Sequence, residues 1–113
     1  MHRLVAMLLL VLFPALALGQ ESGAGRVDAK KIRVVLLGTA PGPPVRVDRA
    51  GISTLVEAGG DRFLFDAGRG VMQRLAQAGV PMEGVTKLFI THLHSDHIVD
   101  VPDLYLTRIR LPP

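Results

Sequence analysis

Three histidines and one aspartate fall within six positions, His92-Leu93-His94-Ser95-Asp96-His97. Neutral imidazole and carboxylate are the usual protein ligands for zinc when no thiolate is at hand, and the chain contains no cysteine. On an extended backbone side chains repeat every second residue, so His92, His94 and Asp96 can face one way and His97 the other. A strand that gives way to a loop and then to a helix start lets both groups converge, with His92 and His94 on one metal and Asp96 and His97 on a second. The plainer reading is a chance cluster of polar residues in a surface loop. Four donors packed this tightly after the apolar run Lys87-Leu88-Phe89-Ile90-Thr91 favour the metal.

The elements that must position these donors are legible upstream. Ile32 to Leu37 is aliphatic and β-branched and reads as a first strand stopped by Gly38. Gly38 to Ala50, with Pro41, Gly42, Pro43 and Pro44, reads as a loop. Ile52–Glu57 and Arg62–Phe65 flank Gly59-Gly60-Asp61, the pattern of a hairpin. Val71, Leu75 and Ala78 show helical spacing over Gly70–Ala78, with Gly79 as the C-terminal cap and Pro81 beyond. Leu88–Thr91 reads as a fourth strand. A second helix is expected to begin between His97 and Pro102 and to run through Leu104, Leu106 and Ile109. Strand, hairpin, helix, strand and helix in that order predict an α/β layered fold with a mostly buried sheet.

A length of 113 residues allows one domain at most. Residues 1–19 have the layout of a secretory signal peptide: a short basic start at Arg3, an apolar stretch from Leu4 to Leu18, and small residues up to Gly19. The stretch is short of the about 20 apolar residues a membrane span needs, and Pro14 interrupts it. An exported protein, periplasmic or secreted, is therefore expected, with an uncleaved signal anchor as the alternative. Residues 20–30 read as a linker and 31–113 as the domain. Without Arg3 the chain carries 12 basic and 10 acidic side chains, mixed along the sequence. That pattern, with no Trp and few aromatics, disfavours nucleic acid as a partner. Oligomeric state is not legible, and a homodimer stays open.

Thr91-His92-Leu93-His94-Ser95-Asp96-His97 resembles the signature of the metallo-β-lactamase superfamily. Leu37-Gly38-Thr39-Ala40, the Pro/Gly loop and Arg49 resemble the opening of its ribonuclease Z and arylsulfatase-like branch. Leu64-Phe65-Asp66-Ala67-Gly68-Arg69-Gly70, with Gln73-Arg74-Leu75, resembles that branch's second block, and Pro102-Asp103-Leu104 also fits. The resemblance runs from about Ile32 to Leu106. It implies an αββα sandwich, of which this α/β chain would form the N-terminal half, with two zinc ions at one edge of the sheets. The same donors also suit manganese or iron. The resemblance gives His92 and His94 to one metal and Asp96 and His97 to the other. Asp96 would also be catalytic, orienting a water and relaying its proton. Asp66 would orient a metal ligand by hydrogen bonding; its alternative is an ordinary turn residue at a strand end. Gly68 and Gly70 allow close backbone approach or are simply loop glycines.

The chain departs from that pattern downstream. The family completes its site with a further histidine, a bridging aspartate and a last histidine, but no histidine follows His97. Asp100 and Asp103 lie too close to the motif and read as helix-start and solvent-facing acids. A chain incomplete at its C-terminus, with half of the fold and half of the site, is expected. The leading functional expectation is a zinc-dependent hydrolase in which a metal-activated hydroxide attacks a phosphodiester, sulfate ester or lactone/ester, on a small anionic or ester substrate. A truncated, non-catalytic chain with a partial metal site is the second reading. A ribonuclease Z-type tRNA 3′-end endonuclease is a further one, which export weighs against. Nucleotide binding at Gly38–Gly42 lacks both the dinucleotide and the P-loop glycine patterns.

Overall fold

The computed structural model describes residues 27–110. The proposed signal segment 1–19 and most of the 20–30 linker lie outside them. Strands β1 (Arg33–Gly38), β2 (Ser53–Ala58), β3 (Asp61–Phe65) and β4 (Lys87–Phe89) form one sheet in the order β1-β2-β3-β4. The first three pair antiparallel, and β4 runs parallel to β3. A parallel neighbour needs a crossover, which α1 (Val71–Gln77) and a 3-10 turn at Met82–Gly84 supply. Two further helices, α2 (Ser95–Ile98) and α3 (Val101–Arg110), follow β4. Among the described residues no helix is long and apolar enough to cross a membrane.

The β2–β3 hairpin follows from its turn chemistry. Gly59 and Gly60 hold φ of 61° and 87°, a left-handed pair that matches the strand twist and strains most other residues. Alternation then fixes the faces. Leu37, Leu55 and Leu64 point inward and pack with Val71 and Leu75 of α1 and with Val80, Val85 and Leu104. Each such side chain, removed from water, contributes about 1.5–3 kcal/mol. Val71 and Leu75 stand four apart, one helical turn, so α1 lays a single apolar stripe on the sheet.

The opposite sheet face is apolar too. In register it carries Val34 beside Val56 and Phe63, and Leu36 beside Thr54 and Phe65, with Phe89 stacked on Phe65 at 5.2 Å. Val34 and Leu36 are 59% and 64% exposed. The expected mostly buried sheet is thus buried on one face, because no described element covers the other.

Most strand and helix ends fall within one residue of the sequence reading, and three of the differences have a clear local reason. β1 includes Gly38, which pairs with Ser53 after a register shift. β4 stops at Phe89 instead of Thr91, because the Thr91 amide is taken by the Asp66 carboxylate. A helix starts at Ser95, ahead of the expected point, since His94 is extended and its carbonyl accepts the His97 amide at 3.0 Å.

Glu57 is the buried acid of the inner face, paired with Arg33 and with Arg62 at 2.9 Å. Arg33, and then Arg62, hold its carboxyl below the usual range against the effect of burial. A carboxyl depressed on folding contributes stability above its unfolded value of about 4.3, and that contribution is lost as pH falls through the folded value. Glu57→Gln should therefore cost about 2 kcal/mol near neutral pH. Its deficit against wild type should shrink in urea melts below about pH 4; a deficit independent of pH would show that charge is not what matters.

Candidate metal centre

The site is built around the end of β3. Asp66 follows the strand with φ of 61°, the one described non-glycine residue in the left-handed region. Aspartate tolerates that conformation better than bulky residues do. The twist turns its buried carboxylate toward the segment after β4. Oδ1 accepts the Thr91 amide at 2.8 Å, Oδ2 accepts the Thr91 hydroxyl at 2.8 Å, and Oδ2 meets His97 Nδ1 at 2.8 Å. Burial works against its ionisation, but the Thr91 amide, the His97 ring and the Thr91 hydroxyl outweigh it and hold the carboxyl below the usual range.

The motif residues gather there. The His92 ring lies 4.0 Å from that of His97 and 4.5 Å from that of His94, centroid to centroid. His92 Nε2 and His94 Nδ1 stand 3.1 Å apart. His97 Nε2 lies 3.7 Å from Asp96 Oδ2. Asp96 and His97 sit in α2, and a helical turn, not an extended backbone, brings His97 beside His92. His97 spends Nδ1 on Asp66, which leaves Nε2 on the Asp96 side. Asp96 Oδ2 accepts the Gly42 amide at 2.8 Å. Partial desolvation opposes the charge on Asp96, but that amide, its own amide and the His97 and His94 rings hold its carboxyl low. Among the described residues, no three donors are arranged to hold a metal ion; they bond to one another instead. The donor types themselves, neutral imidazole with carboxylate, fit a zinc-like cation.

Sequence reasoning missed three contributors. Thr91 bridges Asp66, His92 and His97, its hydroxyl 3.1 and 3.3 Å from the two Nδ1 atoms. Its place just before the first histidine was the available signal. Gly42 reaches Asp96 across 54 residues of chain, which no local pattern announces. Asp100, read as a helix-start acid, does precede α3, but its Oδ2 accepts the Gly70 amide at 2.6 Å. With Ala67 N–H to the His97 carbonyl at 2.8 Å and Asp100 N–H to the Ala67 carbonyl at 3.0 Å, it clamps 66–70 against 97–100. Asp103 faces solvent and receives only Thr107.

Gly68 sits where these segments cross. A Cβ there would stand 2.5 Å from the Ile52 nitrogen and 2.6 Å from the Asp96 carbonyl oxygen. Close approach, not loop flexibility, explains this glycine.

The family model described as "Anti-Pycsar protein Apyc1" matches residues 32–109, a span that holds the whole sheet and the histidine motif. The chain belongs to that family. This Apyc1-family chain is 58% identical over 78 residues to Ribonuclease Z of Mycobacterium sp. (strain KMS), a match covering 68% of this chain and 27% of that protein. The Ribonuclease Z of Mycobacterium avium (strain 104) is 55% identical with the same coverage. The chain therefore spans 27% of the length of these curated relatives. Among solved structures, the metallo-β-lactamase fold protein YhfI from Bacillus subtilis matches with TM-score 0.60 and 29% identity, covering 66% of this chain and 30% of that one. Human tRNase Z, short form, matches with TM-score 0.60 and 35% identity, covering 66% and 29%. The Apyc1-family chain is thus a ribonuclease Z-like member of the metallo-β-lactamase superfamily. It is an α/β chain matching the N-terminal half of that sandwich, as its sequence implied. Of these relatives, three are named as ribonucleases, and none of the four names mentions a sulfate ester or lactone.

Gly68→Ala should cost about 3 kcal/mol in denaturant unfolding, because backbone on two sides must move. Gly59→Ala, with open space around it, should cost only the left-handed strain of about 1 kcal/mol. Equal losses would remove the crossing-point argument.

Proposed function

We propose that this chain supplies one half of the active site of a metal-dependent phosphodiesterase of ribonuclease Z type, acting on RNA. The observation that carries the reading is the 58% identity to a Ribonuclease Z, joined to a histidine–aspartate cluster gathered around the buried Asp66. Sulfate esters, lactones and other small esters find no such support. Export of the protein is part of the proposal, so the RNA is one met outside the cytoplasm.

His92 and His94 would hold one divalent cation, and Asp96 and His97 the second, with zinc first and manganese or iron as the other candidates. Such cations neutralise charge on phosphoryl oxygens and make water acidic enough to lose a proton near neutral pH. The protein's own work is orientation. Asp66 accepts from His97 Nδ1, which fixes the tautomer with Nε2 unprotonated and facing Asp96. Gly42 holds Asp96 by one carboxylate oxygen, and the low proton affinity of that carboxyl keeps it an acceptor through the neutral range. An ionised Asp96 can therefore align a water by accepting its hydrogen bond and can relay the proton onward. Thr91 adds its amide and hydroxyl to the donors that satisfy the Asp66 carboxylate.

Two outcomes are expected. In the full native protein, His94→Ala, Asp96→Asn or chelation by EDTA should each lower hydrolysis of a 3′-extended RNA by about 100-fold or more. Undiminished turnover in all three would refute the metal-dependent reading. Asp66→Asn should weaken zinc binding by about 10–100-fold in calorimetric titration, because His97 loses its orienting acceptor. Wild-type zinc affinity in that variant would confine Asp66 to holding the strand end.

A further inference from the structure

Beside the histidine cluster lies a cleft of about 360 Å³, between the 42–51 loop and the first turns of α1, and it shares Ser95 and Asp96 with the site. Its volume is within the range of sites that hold a nucleotide-sized ligand. Four arginines line it, Arg46, Arg49, Arg69 and Arg74, against two aspartates, Asp48 and Asp96. Three of the four are engaged within the chain. Arg46 and Arg49 both bond Asp48 at 3.0 Å, and the pair pulls that carboxyl down to about 2, so it remains ionised and holds both guanidiniums in place. Arg74 donates to the Leu37 carbonyl at 2.7 Å and to Gln77 at 2.6 Å.

Arg69 differs. Among the described residues no hydrogen bond or ion pair engages its guanidinium. Its backbone, by contrast, is pinned on both sides: the Arg69 carbonyl accepts the Gly51 amide at 2.8 Å, and the next amide, Gly70, is held by Asp100 at 2.6 Å. An unspent planar donor on a fixed backbone, at the edge of a net-positive cleft, is what bidentate phosphate recognition uses.

We propose that this cleft is a phosphate subsite that takes a phosphodiester group flanking the scissile bond of a single-stranded RNA, with Arg69 as the direct contact and the Arg46–Asp48–Arg49 group as a fixed cationic wall. The inference rests on the phosphodiesterase reading and narrows its substrate to one with more than a single phosphate. A compact ester carrying one charge would fill the histidine end and leave Arg69 unused. A strand with successive phosphates satisfies both.

The test is fluorescence anisotropy of a labelled single-stranded oligoribonucleotide, run in EDTA with the full chain over a range of salt. Arg69→Gln should weaken binding about tenfold and flatten the slope of log affinity against log salt by about 0.7, the loss of one phosphate contact. Arg69→Lys should restore the slope but not the full affinity, because a point charge lacks the guanidinium fork. Lys31→Gln removes one exposed charge outside the cleft and should match wild type. Circular dichroism melting checks that each variant folds. Arg69→Gln indistinguishable from Lys31→Gln, or wild type that does not bind the RNA, overturns the subsite. A parallel hydrolysis assay with added metal separates the two claims. Arg69-dependent binding without hydrolysis under any metal leaves the subsite standing and sinks the phosphodiesterase. Hydrolysis with Arg69-independent binding does the reverse.

Discussion

One buried carboxylate organises the centre of this structure. Asp66 ends β3 in a left-handed turn, and its two oxygens receive the Thr91 amide, the Thr91 hydroxyl and the His97 ring. A charge taken out of water is costly unless every lone pair finds a donor, and here the donors come from the segment after β4. The same contacts therefore stop β4, turn the chain toward α2 and aim a histidine. Among the described residues no buried side-chain nitrogen or oxygen lacks a partner. Strand ends, turn and site are in this sense one hydrogen-bonded object.

A second constraint is steric. Gly38, Gly51 and Gly68 sit where backbone meets backbone, with a Cβ at each falling within 3.0 Å of a neighbouring main chain. That closeness draws the 39–51 loop against the start of α2 and lets the Gly42 amide reach Asp96. It also leaves the arginine-lined cleft beside the histidines instead of elsewhere on the surface. Clamping of 66–70 to 97–100 by Asp100, Ala67 and His97 closes the arrangement from the other side. Thus hydrogen bonds tie down the backbone frame of the site, while His92 and His94 stand exposed at the rim.

Much of the frame was readable along the chain. Gly59-Gly60 between two β-rich runs specifies a tight hairpin, and Val71 and Leu75 between Gly70 and Gly79 specify one short amphipathic helix, because each signal is complete within a few residues. The end of β4 was not readable. Ile90 and Thr91 are good strand formers, and they leave the ladder only because a carboxylate 25 residues earlier takes the Thr91 amide. Asp100 does start a helix as its sequence position implies, but its further role comes from a glycine amide 30 residues away, which no local pattern announces.

By itself the sequence determined the donors, their spacing, the family they resemble and the order of the elements, since all of these are properties of residue type and local periodicity. Tertiary structure decided which side chains meet. It put Thr91 between two imidazoles, gave Asp96 to Gly42, and left the Arg69 guanidinium without a partner among the described residues, in the cleft that Asp96 also lines. Those choices depend on how far apart in sequence two groups lie and on how closely glycine lets backbones approach, and neither is encoded in any short window of the chain.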